Sequence, residues 1–505
     1  MQKGRRRFGC YDGVATTMTT TTAATRYETV IGLETHVQLL TKRKMFCDCS
    51  AAYADAPPNT HVCPVCLGLP GALPVINRRA VEHVLTTGLA IEATTPDATR
   101  WDRKNYFYPD LPKGYQISQY DLPLASAGRL TIDTTDGPFT IGITRAHLEE
   151  DTAKLVHATT DDGRKVSLID LNRSGAPLME IVTDPDIRTA EQARRYAEEL
   201  QLLLRTIGAS DADMERGQMR VEANVSLRPR GATRFGTRIE VKNMNSFRSV
   251  ERAIAYEIDR QAAALDAGEP LSQETRGWSD DRGATYHMRS KETSDDYRYF
   301  PEPDLPPLHV DREWLDRLRE SMPELPAARR ARFRDDLGLS SYDAGVLVAD
   351  RDAGRLFEAT LAADDAVAAK SAANWVTGEF LRLRNAATAD HAVDPDPTEL
   401  AGLIRLVDEA RISRSNAKEV FAEHASTGRK VADIVAERGF TQISDTGALG
   451  AAVDEVLAAN SNAVADYKAG KTQVIGFLVG QVMKATKGQA EASVVQGLVR
   501  QRLDG

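Results

Sequence analysis

Cysteine is scarce in this chain, with five among 505 residues, at positions 10, 47, 49, 63 and 66. So few, and an odd number, excludes a disulfide-stapled scaffold; a chain of this length holds itself together with hydrophobic cores. Long apolar runs are missing too. No stretch approaches the ~18 residues a membrane helix needs, and the first residues lack the hydrophobic segment of a signal peptide. The expectation is a cytoplasmic chain with no membrane partner. Positive charge is in deficit, 64 Lys and Arg against 73 Asp and Glu, for a net charge of −9. That balance argues against a protein that coats nucleic acid by neutralising phosphates. Standard nucleotide signatures are also absent. Gly470-Lys471-Thr472 imitates the end of a phosphate-binding loop, but the first glycine of that motif falls at Ala465, and no Gly-x-Gly-x-x-Gly follows a strand.

What is present is a chain 42% hydrophobic and 27% charged, the balance of a folded protein. At about 150 residues per domain it should hold roughly three domains. Charge is uneven along it: Lys3, Arg5, Arg6, Arg7 and Arg26 face only Asp12 in the first 26 residues, and the last forty are again basic around an acidic middle. Residues 1–26, with a threonine-rich run, read as a disordered extension, and Met18 is an alternative start. From 27 to 306, period-two alternation between Gly, Pro and Asp breaks predicts a large α+β domain. It includes two helices. One starts at Thr189 with Gln192 three positions on and ends at Gly208; the other follows Ser246 and ends at Gly268. Both should cover one face of the sheet. Pro301, Pro303, Pro306 and Pro307 end this domain, and a second break at Asp394 to Pro397 divides the helical remainder into 307–397 and 398–505. In the latter, Phe477, Val479 or Gly480 and Met483 read as a helix core, with Lys484 and Lys487 as phosphate contacts.

Cys47-Asp-Cys49 and Cys63-Pro-Val-Cys66 form two close pairs. Thiolates at such spacing converge on one tetrahedral zinc, and four of them close its coordination shell, so the ion would be structural. His61 is a possible substitute ligand, and paired core cysteines are the alternative. With Cys10 in the extension, no cysteine is left as a nucleophile.

Several strands place apolar residues on one face and a chemically loaded set on the other. Ile31, Leu33 and Val37 alternate with Glu34 and His36; Val221, Ala223, Val225 and Leu227 alternate with Arg220, Glu222, Asn224 and Ser226. Arg145, His147 and Glu149 share a face, as do Glu240 and Lys242. Each strand alone fits an ion-paired solvated face. Together, lined with His and Asn, which are poor strand formers, they fit a cradle for a metal-bound nucleotide.

Seven blocks carry a resemblance: Ile31-Gly-Leu-Glu-Thr-His-Val37, Asp102-Arg-Lys-Asn-Tyr-Phe-Tyr-Pro-Asp110, Tyr115-Gln-Ile-Ser-Gln119, His147-Leu-Glu-Glu-Asp151, Asp170-Leu-Asn-Arg173, Glu240-Val-Lys-Asn-Met-Asn-Ser-Phe247 and Asp295-Asp-Tyr-Arg-Tyr-Phe-Pro-Glu-Pro303. In this order they resemble the GatB/GatE family, the B subunits of the aspartyl/glutamyl-tRNA(Asn/Gln) amidotransferases, collinear from Tyr27 to the end. The resemblance implies a glutamine-synthetase-like cradle, then an all-α helical domain, then a small all-α tail that engages tRNA. It implies an ATP-dependent ligase that phosphorylates the side-chain carboxylate of Glu-tRNA(Gln) or Asp-tRNA(Asn). Ammonia from a partner amidase subunit then amidates it, and a small third subunit makes up the heterotrimer. ATP, Mg²⁺ and structural Zn²⁺ are the cofactors.

On that model Glu34 and Glu149 or Glu150 hold Mg²⁺, with His36 beside them; Lys104, Arg145, Arg220 and Lys242 hold phosphate oxygens; and Asn172, Asn224 and Asn243 position substrate. One block departs from the family's usual Met-Glu-Glu-Gly-Ser-x-Arg-x-Asp-Ala-Asn. Here it reads Met214-Glu-Arg-Gly-Gln-Met-Arg-Val-Glu-Ala-Asn224, so Glu222 stands where an Asp is usual and reaches one methylene further. Two other classes remain open on the residues: a non-catalytic zinc-containing tRNA-binding scaffold, and a free-standing ATP-dependent amide ligase.

Overall fold

A computed structural model describes residues 26–290, 297–387, 393–440, 446–486, 490 and 492–504. Cys10, Met18, Asp295, Asp296 and Lys487 lie outside them. The chain divides into two compact units, Met1–Leu325 and Pro326–Gly505.

The first unit is mixed α+β, organised by one eight-stranded sheet. Its strand order is Ala284–Ser290, Glu274–Ser279, Ile239–Met244, Met219–Pro229, Tyr27–Gln38, Pro177–Thr183, Gly137–Glu150 and Ala125–Thr134. All neighbours pair antiparallel except Ile239–Met244 with Glu274–Ser279, which run parallel. Alternation puts Ile31, Leu33, Val37, Val221, Ala223 and Val225 into a buried apolar face. Against that face lie the helices Arg78–Ala90, Ala190–Thr206 and Phe247–Asp266. Ala190–Thr206 begins where the Thr189 hydroxyl accepts from the Gln192 amide at 3.1 Å, while the Gln192 side chain accepts from the Arg188 amide at 2.8 Å. It buries Tyr196, Leu200 and Leu204, and each leucine contributes about 1.5–3 kcal/mol of transfer energy. Gly208, at φ 68°, ends it in the left-handed conformation that a residue with Cβ disfavours. Ser246 caps the second predicted helix in the same way, accepting from the Ser249 amide at 3.0 Å.

The helices occupy one face of the sheet, and the charged face lies on the other. A small three-stranded sheet, Phe300–Pro301, Asp102–Asn105 and Tyr115–Ser118, contributes Lys104 and Gln116 to the same cleft.

Among the described residues the second unit contains helices and no strand. Its aromatic contacts are Phe333 edge-on to Phe357 at 5.0 Å and Trp375 to Phe421 at 5.7 Å, the tryptophan opening a π-helical turn, Trp375–Phe380. A C-terminal cluster packs Leu449, Val453, Leu478, Val482, Val495 and Val499. This corrects the expected tail stripe in part. The helix Ile475–Ala485 turns Leu478 and Val482 fully inward, Val479 and Met483 pack half-buried against the same cluster as expected, and Phe477 is 50% exposed. Apolar residues occur all round this helix, so spacing alone does not fix which side packs. Among the described residues no helix is long and apolar enough to cross a membrane.

Candidate active site

Sheet register builds the cleft. In one row across four strands, Arg220 faces His36, His36 faces Glu180, and Glu180 faces His147. In the next row on that face Glu222 stands opposite Glu34, and in the row beyond it Asn224, opposite Gly32, is paired with Glu240. The resulting cleft measures about 850 Å³. Eight of the predicted residues line it: Glu34, His36, Lys104, Arg145, Glu149, Arg220, Asn224 and Lys242.

The carboxylates fall into two groups. His36, Glu149 and Glu180 bring one ligand atom each to within 4.8 Å of one another, and so do Glu34, Glu222 and Glu240. Glu34 and Glu149, expected to share an ion, thus belong to different groups. Each group is oriented by neutral donors and a cation. Glu149 accepts from Ser118 Oγ at 2.7 Å and Gln116 Nε2 at 3.0 Å, with Lys104 Nζ at 3.6 Å and His147 Nε2 at 3.5 Å. Glu34 accepts from Asn224 Nδ2 at 2.8 Å, Glu222 from Lys242 Nζ at 2.6 Å, and Glu240 from Thr275 Oγ1 at 2.6 Å. Burial raises the Glu149 carboxyl, but the Lys104 and His147 charges outweigh it and hold the group well below the usual carboxylate range. The same attraction works on the lysines: burial lowers Lys104 and Lys242, while Glu149 and Glu222 more than restore them, so both stay charged. The all-oxygen trio of Glu34, Glu222 and Glu240 suits a hard divalent ion such as Mg²⁺, while the His36 imidazole adds a softer donor to the carboxylates of Glu149 and Glu180.

Three predicted residues lie elsewhere. Glu150 follows Glu149 on the strand and points to the opposite face, where it pairs with Lys113 and accepts from the Ile117 amide at 3.0 Å. Asn172 is buried as a brace: it accepts from the His61 amide at 2.8 Å and donates to the Pro57 carbonyl at 2.7 Å. Asn243 sits at φ 64° beside a strand irregularity and donates to the Tyr286 hydroxyl at 3.1 Å. Sequence reasoning missed Glu180, the lone charge in Leu178-Met179-Glu180-Ile181-Val182; a carboxylate at the centre of so apolar a strand is itself a signal. It also missed Tyr106, Tyr297 and Tyr299 on the cleft wall.

The four cysteines converge as their spacing predicts. Their sulfurs lie within 4.8 Å of one another, with Cys63 and Cys66 at 3.9 Å, too far for a disulfide and suited to a shared tetrahedral ion. Cys66 is held below the usual thiol range by the Cys47 thiol first, then by the Cys63 amide and the Lys44 ammonium. His61 is not among the four; its carbonyl accepts from Lys44 Nζ at 2.7 Å. Lys484 is exposed on the helix Ile475–Ala485.

Fold and cleft together define a mixed α+β protein whose main sheet presents two acidic groups and a set of cations to one polar cavity. Comparison with known proteins narrows this class. Residues 29–316 match the GatB/GatE catalytic domain and residues 355–503 the GatB domain. Relatives named as the B subunit of aspartyl/glutamyl-tRNA(Asn/Gln) amidotransferase include one from Moorella thermoacetica, 53% identical over 94% of this chain and 100% of its own length. Another, from Thermomicrobium roseum, is 52% identical over 94% of this chain and 99% of its own, and one from Dehalococcoides mccartyi is 50% identical over 95% and 99%. The chain belongs to this GatB/GatE family, the B subunits of the aspartyl/glutamyl-tRNA(Asn/Gln) amidotransferases.

Proposed function

We propose that this chain is the component of a tRNA-dependent amidotransferase that activates the side-chain carboxylate of Glu-tRNA(Gln), Asp-tRNA(Asn) or both with ATP. The observation that carries the reading is the opposition of acidic and cationic groups across one cleft, with Glu34, Glu222 and Glu240 facing Lys242, and Glu149 and Glu180 facing Lys104. A carboxylate does not acylate ammonia until its oxygen becomes a leaving group. A substrate carboxylate oxygen attacks the terminal phosphorus of ATP, the bond from that phosphorus to the bridging oxygen breaks, and ADP departs. Ammonia then adds to the acyl carbon, loses a proton, and phosphate leaves to give the amide. Lys104, Arg145, Arg220 and Lys242 hold the phosphate oxygens, and Asn224 fixes the orientation of Glu34. Either His36, Glu149 and Glu180 or Glu34, Glu222 and Glu240 would hold Mg²⁺, which when bound would supply positive charge to the transferring phosphoryl group.

The finer layout belongs to the same reading. A glutamine-synthetase-like cradle spans 27–306 with a zinc knuckle at 47–66, a helical domain follows to 397, and the tail from 398 meets tRNA. The ammonia comes from a partner amidase, with a small third subunit to brace the heterotrimer, since the four cysteines that converge here are ligands to a structural ion. Reconstitution with misacylated tRNA, ATP and glutamine tests the whole: amidation that requires both this chain and the partner amidase is the expected result. Binding of tRNA without turnover, or amidation of the free amino acid, would each replace it.

A further inference from the structure

Asp151 lies just past the strand Gly137–Glu150 and is only 3% exposed. A carboxylate so deeply buried is costly unless its surroundings are built for it. Here they are. Its Oδ1 accepts from Arg220 Nη2 at 3.2 Å and from the Thr152 amide at 2.9 Å; its Oδ2 accepts from Gln38 Nε2 at 2.9 Å, with Arg173 Nε at 3.7 Å. The backbone is fixed as well, with the Asp151 amide donating to the Ala176 carbonyl and the Gly175 amide to the Asp151 carbonyl. Arg220 and Arg173 overcome burial and keep Asp151 ionised.

Two of these partners lead to the loop between the cysteine pairs. The Gln38 carboxamide oxygen accepts from the Tyr53 hydroxyl at 2.9 Å, and Tyr53 is in that loop. On the other side, Asn172 holds the loop through the His61 amide and the Pro57 carbonyl, and its neighbour Arg173 donates to the carbonyls of Thr152 and Ala153 beside Asp151. The third partner leads to the cleft. Arg220 lines it in the same sheet row as His36 and Glu180. A guanidinium is a rigid planar fork, so fixing one edge on Asp151 sets the direction of its other donors.

We propose that Asp151 is a positioning residue that couples the cysteine-held loop, through Tyr53 and Gln38, to the orientation of Arg220 toward the phosphates of ATP. The proposal rests on the reading of Arg220 as a phosphate ligand. The loop then does more than brace the fold: its closure by the cysteines is felt at the nucleotide.

The test is equilibrium binding of a non-hydrolysable ATP analogue to the assembled amidotransferase with Mg²⁺, alongside its thermal transition. Asp151→Asn could disturb folding, so the informative variants are Tyr53→Phe, Arg220→Lys and their combination. Tyr53→Phe should weaken analogue binding by about three- to tenfold, the scale of one lost hydrogen bond, at an unchanged thermal transition. Arg220→Lys should weaken it at least as much, and the double variant should bind no worse than Arg220→Lys alone, because both act through one group. A Tyr53→Phe variant that is silent, that only lowers the thermal transition, or that adds its full effect to Arg220→Lys overturns the coupling while leaving Arg220 at the phosphates. A silent Arg220→Lys variant removes the phosphate reading, and the proposal with it.

Discussion

Glu34 and Glu222 stand directly opposite each other on neighbouring antiparallel strands, and Glu240 brings a third carboxylate oxygen within 4.8 Å of both. Like charges facing across a strand pair destabilise a sheet by about 0.2–1 kcal/mol, a cost that a divalent cation reverses. Lys242, in contact with Glu222 and Glu240, supplies one of the positive charges this trio needs. Glu34→Gln should therefore have opposite effects on stability and activity. In chelator the variant should unfold at the same or slightly higher temperature, and in the reconstituted system it should lose ATP-dependent amidation while still assembling with the partner amidase. Unchanged product formation would remove Glu34 from the site.

Stability should respond to acid through Asp343 in the second unit. Its carboxylate accepts from Ser340 Oγ at 2.7 Å and pairs with Lys370 Nζ at 2.6 Å. Burial raises this group, but Lys370 and Ser340 together bring it below its ordinary value. A carboxyl depressed in the folded state stabilises above its unfolded pKa of about 3.9, and that contribution is lost as pH falls through the lower folded value. Asp343→Asn should cost about 0.5–1.5 kcal/mol at neutral pH, and the difference from the parent should shrink as pH falls below the unfolded value of about 3.9 and vanish once pH is below the lowered folded value. Urea unfolding at stepped pH, followed on the second unit, measures it; a difference that persists in acid contradicts the assignment.

The cysteine cluster makes a compositional prediction. The purified chain should carry about one zinc, released on treatment with a thiol-modifying reagent, and Cys66→Ser should lose it with a drop in thermal stability. Cys66 is the informative position because its sulfur accepts from the Cys63 amide at 3.2 Å and receives Lys44 Nζ at 3.7 Å. A chain that keeps its stability and carries no zinc in both forms would make these four a cluster of paired core thiols.

Much of this site is legible in the sequence, and the residues show why the rest is not. Period-two alternation puts Glu34 with His36, and Arg220 with Glu222 and Asn224, because facing is a local property of a strand. Which strands adjoin is not local. The pairing of Glu34 with Glu222, and of His36 with Glu180, depends on register between segments far apart in the chain. Glu180 escapes a strand-by-strand reading for this reason, and Glu34 and Glu149 look like one ion's ligands although they belong to separate groups. Alternation already separates Glu149 from Glu150, and the structure turns Glu149 to the cleft and Glu150 to Lys113. Asn172 and Asn243 enter the expected site by motif alone; one braces a loop and the other meets Tyr286. The helix caps at Thr189 and Ser246 are legible because capping is settled within four residues.

The tail separates a core effect from a binding effect within one helix. Leu478 and Val482 are fully buried in the C-terminal cluster, and Lys484 on the same helix is exposed. Leu478→Ala should cost about 2–4 kcal/mol of stability through the cavity it leaves. Replacing Lys484 and Lys487 with Ala should leave the thermal transition unchanged and raise the Michaelis constant for tRNA, with little change in rate at saturation. Because each phosphate contact releases condensed counterions, the slope of log affinity against log salt should also become shallower by about one per lysine. Rates and salt slopes equal to those of the parent would show that the basic tail meets something other than phosphate, while a shift in the thermal transition would place one of the lysines in the fold itself.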